Sequence, residues 1–435
     1  MGQFPRVVKV AGRRIRYNSE MSRATAPSPL RVLMIAPTSF FADYGCHVRI
    51  LEEVRALTAR GHKVRVCTYH NGMDIPGVDI HRSVDIPWLQ RAEVGSSRHK
   101  AYLDVALFFE AARQAVRFRP DVIHAHLHEG ALIGGIIGRL LRIPVVFDYQ
   151  GSLTEEMLDH GFIRERGRRE RFFRYLERVI DRLPAQVIPS SQAGKQHLTQ
   201  TGLSDDRITI IHDGVDLQRF DPSTLRQERD DTRARLGIPV AARVVIYLGL
   251  LAEYQGTPTL IEAARLLIPR YPDLYVVVAG YPGPERYAAM AADLPRDRIL
   301  FPGRIPYDEA PALLAAGDVA VAPKLSTTES NGKLFNYMAL KLPIVASDTV
   351  TNRSILGELG HLFPPGDAHA MAEAVEAAFS DTVQQRNDLR GRVRSLFDWR
   401  ERVIELEQVY ARVTGQNITL PRAMTTTEEV ALASD

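Results

Sequence analysis

The sequence predicts an α/β protein built of two doubly wound domains, and three observations lead there. Short β-branched runs such as RVLMIA (31–36), VVIYLG (244–249) and DVAVA (318–322) recur along the chain, each giving way to helical spacing of apolar residues. The 435 residues are too many for one hydrophobic core. No long antiparallel section interrupts the alternation, which favours parallel sheets connected by helices.

Composition narrows the class. Charged residues make up 25% and hydrophobic residues 45%, ordinary for a globular protein. A net charge of +3 is too small to argue for a nucleic-acid partner. Cys46 and Cys67 are the only cysteines, so a disulfide framework and a cysteine zinc site are both excluded. No run approaches the ~20 apolar residues of a membrane-spanning helix, and the N-terminus lacks the apolar centre of a signal peptide. A cytoplasmic location is expected.

Residues 1–29 carry Arg13, Arg14 and Arg16 without periodicity and read as a loose basic arm. The first domain, 30–220, opens with strand 31–36, a loop to residue 46, a helix over 47–60 ended by Gly61, and strand 63–69. Gly45 stands at that helix start, where the missing Cβ would let a diphosphate approach backbone N–H groups. A helix over 97–118 and a strand over 121–125 follow. His124, His126 and His128 alternate with Ala125 and Leu127, which in a strand would turn all three to one face. Glu129 is the only carboxylate near them in sequence, so no metal ligand is assigned. His126 is a better candidate by position, because open parallel sheets bind ligands at the carboxyl ends of their strands.

Strand 144–149 leads to an amphipathic helix over 163–182, in which Phe172, Leu176, Val179 and Ile180 alternate with arginines. It reads first as a solvated helix packed on the domain, and second as a contact with an anionic inner-membrane surface or a phosphate-bearing acceptor. Strands 186–189 and 208–212 close the domain. A charged, proline-containing link over 221–242 joins it to a second domain over 243–397, with strands 244–249, 274–280, 298–301, 319–322 and 344–347. A helix over 398–413 and a polar tail over 414–435 end the chain.

Chemistry concentrates in residues 324–348. The strand ending at Pro323 is followed by Lys324 and a loop containing Glu329, Ser330, Asn331 and Gly332, then by a helix carrying Leu334, Phe335 and Met338. Free N–H groups at that helix start, with Lys333 beside them, favour a phosphate.

At these residues the sequence resembles family-four glycosyltransferases, retaining enzymes of the GT-B fold, in which two Rossmann-like domains face a central cleft. Glu329, Gly332, Met338, Ala339 and Pro343 fit the family pattern, and residues 120–126 match its P-D-V-x-H-x-H motif. Gly45 matches the second glycine of the family's N-terminal loop, with Tyr44 in place of the first. His212–Asp216 and Phe220 are similar to the family's interdomain junction, N-G-V-D-x-x-x-F. The resemblance spans about residues 31–412.

The resemblance implies a nucleotide diphosphate sugar as donor, no further cofactor, and transfer to a glycan, a lipid-linked sugar or a small molecule. It implies that His126 lies beside donor and acceptor, and that Glu329 and the N–H groups of Ser330 to Gly332 hold sugar hydroxyls. Asn331, Lys333 and Leu334 would lie at the phosphates, Asn336 at the ribose, and Gly303, Arg304 and Ile305 at the base. The helix over 398–413 would return to the first domain. Three departures stand out. Leu250, just after Gly249, and Gln255 occupy positions where the family carries Arg and Lys, and Asn336 replaces a glutamate. Lys333 and Lys324 are the nearest cations to take over.

Rival readings are a GT-B chain that only binds a nucleotide sugar or a partner, and a GT-B epimerase. A dinucleotide dehydrogenase is disfavoured, because no strand is followed by G-x-G-x-x-G with an acidic residue closing the next strand.

Overall fold

The computed structural model describes residues 8–10, 13–15, 29–42, 45–86, 100–159, 163, 167–325 and 331–416. Two six-stranded sheets organise them, and every pairing within each sheet is parallel. The first contains β1 (Arg31–Ala36), β2 (Lys63–Thr68), β3 (Asp79–Arg82), β4 (Val122–His126), β5 (Val145–Tyr149) and β6 (Gln186–Pro189). The second contains β7 (Arg243–Leu250), β8 (Leu274–Tyr281), β9 (Ile299–Gly303), β10 (Val319–Ala322), β11 (Ile344–Ser347) and β12 (His361–Phe363). Their spatial orders, β3-β2-β1-β4-β5-β6 and β9-β8-β7-β10-β11-β12, are the same. Each sheet therefore reverses direction once, between its first and fourth strands, and opens a crevice there at its carboxyl edge.

The central strands are readable in sequence because helices cover both of their faces. β10 is buried throughout, which selects uninterrupted Val and Ala in place of alternation, and β4 is buried throughout as well although it carries His124 and His126. Two edge strands, β3 and β12, were not expected. Conversely, residues 208–212 do not form a strand. Ile208 makes one bridge to Val187, and the N–H groups of Thr209 and Ile211 bond to Val187 and Pro189, but Pro189 has no N–H with which to extend a ladder.

The expected alternation of three histidines also breaks. β4 ends at His126, Leu127 adopts φ +59°, and a helix spans Leu127–Leu141. That helix lies close on the sheet through its glycines: a Cβ on Gly138 would run into Val145, and one on Gly135 into Leu183. The expected helix over 163–182 is observed as Arg168–Asp181, preceded by a shorter one, Leu153–Asp159. In the segment read as a loose arm, Val8–Val10 pairs antiparallel with Arg13–Ile15.

Helix Trp399–Thr414 packs on the first sheet. Its Glu407 accepts from Arg60 at 2.7 Å and bonds His62 at 2.9 Å, and the Tyr410 hydroxyl lies 2.6 Å from His124 Nδ1. Where the chain crosses back it runs beside the first crossing: Val215 N–H donates to Phe397 O at 2.9 Å, and Trp399 N–H to Val215 O at 3.3 Å. Across the cleft, Arg219 joins Glu52 (3.0 Å) to Asp308 (2.8 Å), Phe41 packs on Tyr307, and the Tyr281 hydroxyl donates to Ala42 O.

Candidate active site

The carboxyl edge of the second sheet gathers three residues that the sequence singled out separately. Lys333 opens the helix Lys333–Ala339 after β10, and its Nζ donates to Gln255 Oε1 at 3.0 Å. The same ammonium lies 4.8 Å from the centre of the Tyr247 ring. A Cβ placed on Gly249 would come within 3.2 Å of Lys333 Nζ, so the glycine at the end of β7 leaves the space in which the lysine sits. Gln255 stands where the family has a cation, and here its carbonyl receives a cation delivered from Lys333 instead.

Other candidates on this side fall differently. Asn331 is buried, and its Nδ2 donates to Asn352 Oδ1 at 2.9 Å, while Asn352 Nδ2 donates to Ser347 O at 2.8 Å. Its amide ties the loop to the following helix rather than facing a phosphate. Leu334 points into the core, and its N–H donates to Asn331 O at 3.0 Å. Its side chain and its N–H are both engaged within the protein in this structure.

Gly332 is exposed, with open space where a Cβ would be. Asn336 is half-buried one turn beyond Lys333 on the same helical face. Lys324 is buried just past β10. Gly303 ends β9 at φ +79°, Arg304 is exposed with its guanidinium 5.2 Å from the Tyr281 ring centre, and Ile305 packs partly against the core. Glu329 and Ser330, like Tyr44, lie outside the described residues.

On the first sheet, Gly45 opens helix Gly45–Ala59 and faces open space. His126 is at the expected end of β4, but its ring is sealed: it has no exposed surface, and Nδ1 bonds Asp148 Oδ2 at 3.0 Å. Its Nε2 faces Glu53 of the helix Gly45–Ala59 at 3.9 Å, and the place beside donor and acceptor stays what the resemblance implies. His124 stacks on it at 4.5 Å. His128 turns elsewhere, to Glu177 (3.6 Å) and Asp181 (3.4 Å), and Glu129 pairs with Lys100 (2.6 Å).

The carboxylates beside His124 and His126 come from distant segments. Arg49 holds Asp148 (2.9 Å), Asp213 (2.6 Å) and Glu53 (3.2 Å) in one buried network. Burial opposes the Arg49 charge, but Asp148, Glu53 and Asp213 more than offset it and hold the guanidinium above its usual range. Burial pushes Glu53 well up and His124 well down, whereas at Asp148 it is outweighed by Arg49 and His126, which keep that carboxylate ionised. Sequence reading missed Arg49, Glu53, Asp148 and Asp213. The one available signal was the i,i+4 spacing of Arg49 and Glu53, which looks the same in an exposed ion pair.

Two parallel sheets of identical order, with glycine, glutamine and lysine gathered at one carboxyl edge across a cleft, define a GT-B glycosyltransferase. Residues 45–219 match the family described as Glycosyltransferase Family 4, and residues 242–381 match Glycosyl transferases group 1. The chain belongs to this family-four, group 1 glycosyltransferase family. It is 24% identical to the phosphatidyl-myo-inositol mannosyltransferase of Mycobacterium leprae, over 88% of this chain and 97% of that one. It is 28% identical to the D-inositol 3-phosphate glycosyltransferase of Acidothermus cellulolyticus, over 83% and 85%. Among solved structures, the sucrose-phosphate synthase of Thermosynechococcus elongatus superposes with a TM-score of 0.71 at 20% identity, covering 89% of this chain and all of that one. Anabaena HepE in complex with UDP-glucose superposes at 0.69 and 17% identity, with the same coverage. Among the described residues, no helix is long and apolar enough to cross a membrane.

Proposed function

We propose that this glycosyltransferase moves a sugar from a nucleoside diphosphate sugar to an acceptor hydroxyl, with retention of anomeric configuration and no divalent ion at the diphosphate. The observation that carries the reading is the Lys333 ammonium at the end of β7, between Gly249 and Gln255. A fixed cation there offsets the charge that develops on a departing nucleoside diphosphate, and that departing phosphate can itself take the acceptor proton, so no side-chain nucleophile is required. The relatives named for inositol-containing acceptors, and the structure holding UDP-glucose, support the same donor and acceptor classes.

The test is a panel of nucleotide sugars with candidate acceptors, reading nucleoside diphosphate release and the anomeric coupling of the product by NMR. Donor binding without release under any pairing would leave a binding protein, and an isomerised nucleotide sugar formed without acceptor would make it an epimerase. Millimolar Mg²⁺ or Mn²⁺ is expected to leave nucleoside diphosphate affinity unchanged, and a rise of about tenfold or more would place an ion at the diphosphate.

Asn336 is assigned to the ribose. An amide offers one carbonyl acceptor and an NH₂ donor where a carboxylate offers two acceptors. Asn336→Ala is therefore expected to weaken a ribonucleotide by about 0.5–1.5 kcal/mol and its 2′- and 3′-deoxy analogues by less, read by calorimetry. Equal losses would remove Asn336 from the ribose contact.

The acceptor side is assigned a membrane contact. Helices Lys100–Phe118, Leu127–Leu141 and Arg168–Asp181 share a core on one face of the first sheet, and expose Tyr102, Phe109, Leu140, Phe172 and Tyr175 beside Arg113, Arg139, Arg171 and Arg178. Among the described residues, no Asp or Glu of these three helices is exposed. Exposed apolar side chains that share their helices with arginines suit an anionic lipid surface. Reversing Arg171 and Arg178 to Glu is expected to weaken cosedimentation with anionic vesicles roughly 30-fold or more. Unchanged partitioning would exclude the contact.

A further inference from the structure

We propose that Glu53, His124 and His126 bind one divalent transition-metal ion of the zinc type inside the first domain, away from the donor diphosphate. Glu53 Oε2 lies 3.9 Å from Nε2 of His124 and 3.9 Å from Nε2 of His126. Ligand atoms of these three residues and Asp148 all fall within 4.8 Å of one another. Glu53 is 1% exposed and both histidines 0%, yet Glu53 Oε2, His124 Nε2 and His126 Nε2 have no hydrogen-bond partner.

The opposite end of each side chain is held. His126 Nδ1 bonds Asp148 at 3.0 Å, His124 Nδ1 bonds the Tyr410 hydroxyl at 2.6 Å, and Glu53 Oε1 meets Arg49 at 3.2 Å. Asp148 as a carboxylate only accepts, so the proton sits on His126 Nδ1, and Nε2 aims a lone pair at Glu53. A separation of 3.9 Å is too long for a hydrogen bond between them. Unpartnered nitrogen and oxygen atoms facing one another in a dry interior are costly, and an ion among them would offset that cost. Tetrahedral zinc with bonds of about 2.1 Å sets its ligands about 3.4 Å apart, so Glu53 closes on either histidine with a shift of about half an ångström.

Charge agrees with this. Glu53, Asp148 and Asp213 bring three acids to the single cation Arg49, an excess of acid that a divalent cation offsets. The outer partners match as well, since histidines that bind metals donate their other ring nitrogen to a carboxylate or a comparable oxygen, and that contact fixes the tautomer. Three protein ligands leave one position for water. The ion would fasten helix Gly45–Ala59 to β4 and, through Tyr410, to the helix Trp399–Thr414.

The whole chain, desalted after expression in zinc-containing medium, is expected to carry about one equivalent of metal by elemental mass spectrometry, and the near-isosteric Glu53→Gln variant less than about 0.2. After denaturation with a chelator, refolding with Zn²⁺ or Co²⁺ is expected to raise the unfolding temperature by about 5 °C or more over metal-free refolding, in wild type but not in Glu53→Gln or His124→Gln. The Co²⁺ form should show the visible absorption of a four-coordinate ion. Metal-free wild type whose unfolding temperature ignores both ions would overturn the proposal and leave a buried water or a proton on Glu53 in the same place. Equal metal in wild type and Glu53→Gln would also overturn it, as adventitious binding.

Discussion

Lys333→Ala is expected to weaken nucleoside diphosphate binding by about 1.5–3 kcal/mol, roughly 10- to 150-fold, with the fold intact. The ammonium is the cation that the described residues bring to the end of β7, at 3.0 Å from Gln255 and beside Gly249, where the family pattern would have supplied cations at positions 250 and 255. Leu250 and Gln255 provide neither. Removing the charge should also flatten the salt dependence of binding, a change that a general loss of packing would not produce. Gly249→Ala is the companion, since its new methyl meets the lysine at 3.2 Å and displaces the amine without removing it. A smaller loss than that of Lys333→Ala is expected. If calorimetry shows unchanged affinity in Lys333→Ala, the diphosphate is held elsewhere, with Lys324 next in line, and the proposed function loses its main support.

Arg49→Met should destabilise the first domain by about 3–5 kcal/mol, the cost of leaving buried carboxylates without their counter-charge. Arg49 is 4% exposed and binds three acids at once, so no water-exposed path exists for Asp148 to recover solvation when the guanidinium is lost. Methionine keeps much of the volume, which separates charge loss from cavity formation. Trp399 reports the transition directly, because its ring lies 5.9 Å from the Arg49 guanidinium. Denaturant titration followed by tryptophan fluorescence gives the loss. A cost below about 1 kcal/mol would mean that the network is solvated.

Much of the fold was legible because buried parallel strands leave a strong mark. The run at β10 is apolar on both faces, so its strand and the turn at Pro323 could be read directly. β3 could not, because DIHR is a half-exposed edge strand held by main-chain pairing, which writes nothing into side chains. The helix Leu127–Leu141 was hidden by the histidine alternation before it, and only the left-handed backbone at Leu127 separates the two. At the candidate site, Lys333 was singled out by its place at a helix start, whereas Gly249 and Gln255 were singled out only through the order of family motifs. For Asn331 and Leu334 the sequence shows a polar loop before a helix, but not that Asn352 and the turn itself take up donors there. The Arg49 network was out of reach, since it joins residues from a helix, two strands and the interdomain junction.

The paired crossing at Val215 and Asp398 makes the two domains behave like a door on adjacent pins. A single tether would allow one domain to swivel and slide over the other. Two antecedent strands laid side by side and stitched by main-chain bonds resist twisting about their length and yield to bending across it. Opening of the cleft therefore has one easy direction, a swing about Val215 and Asp398 that parts Phe41 from Tyr307 and Arg219 from Asp308. A nick in the link over 221–242 would leave the halves still joined through the other pin.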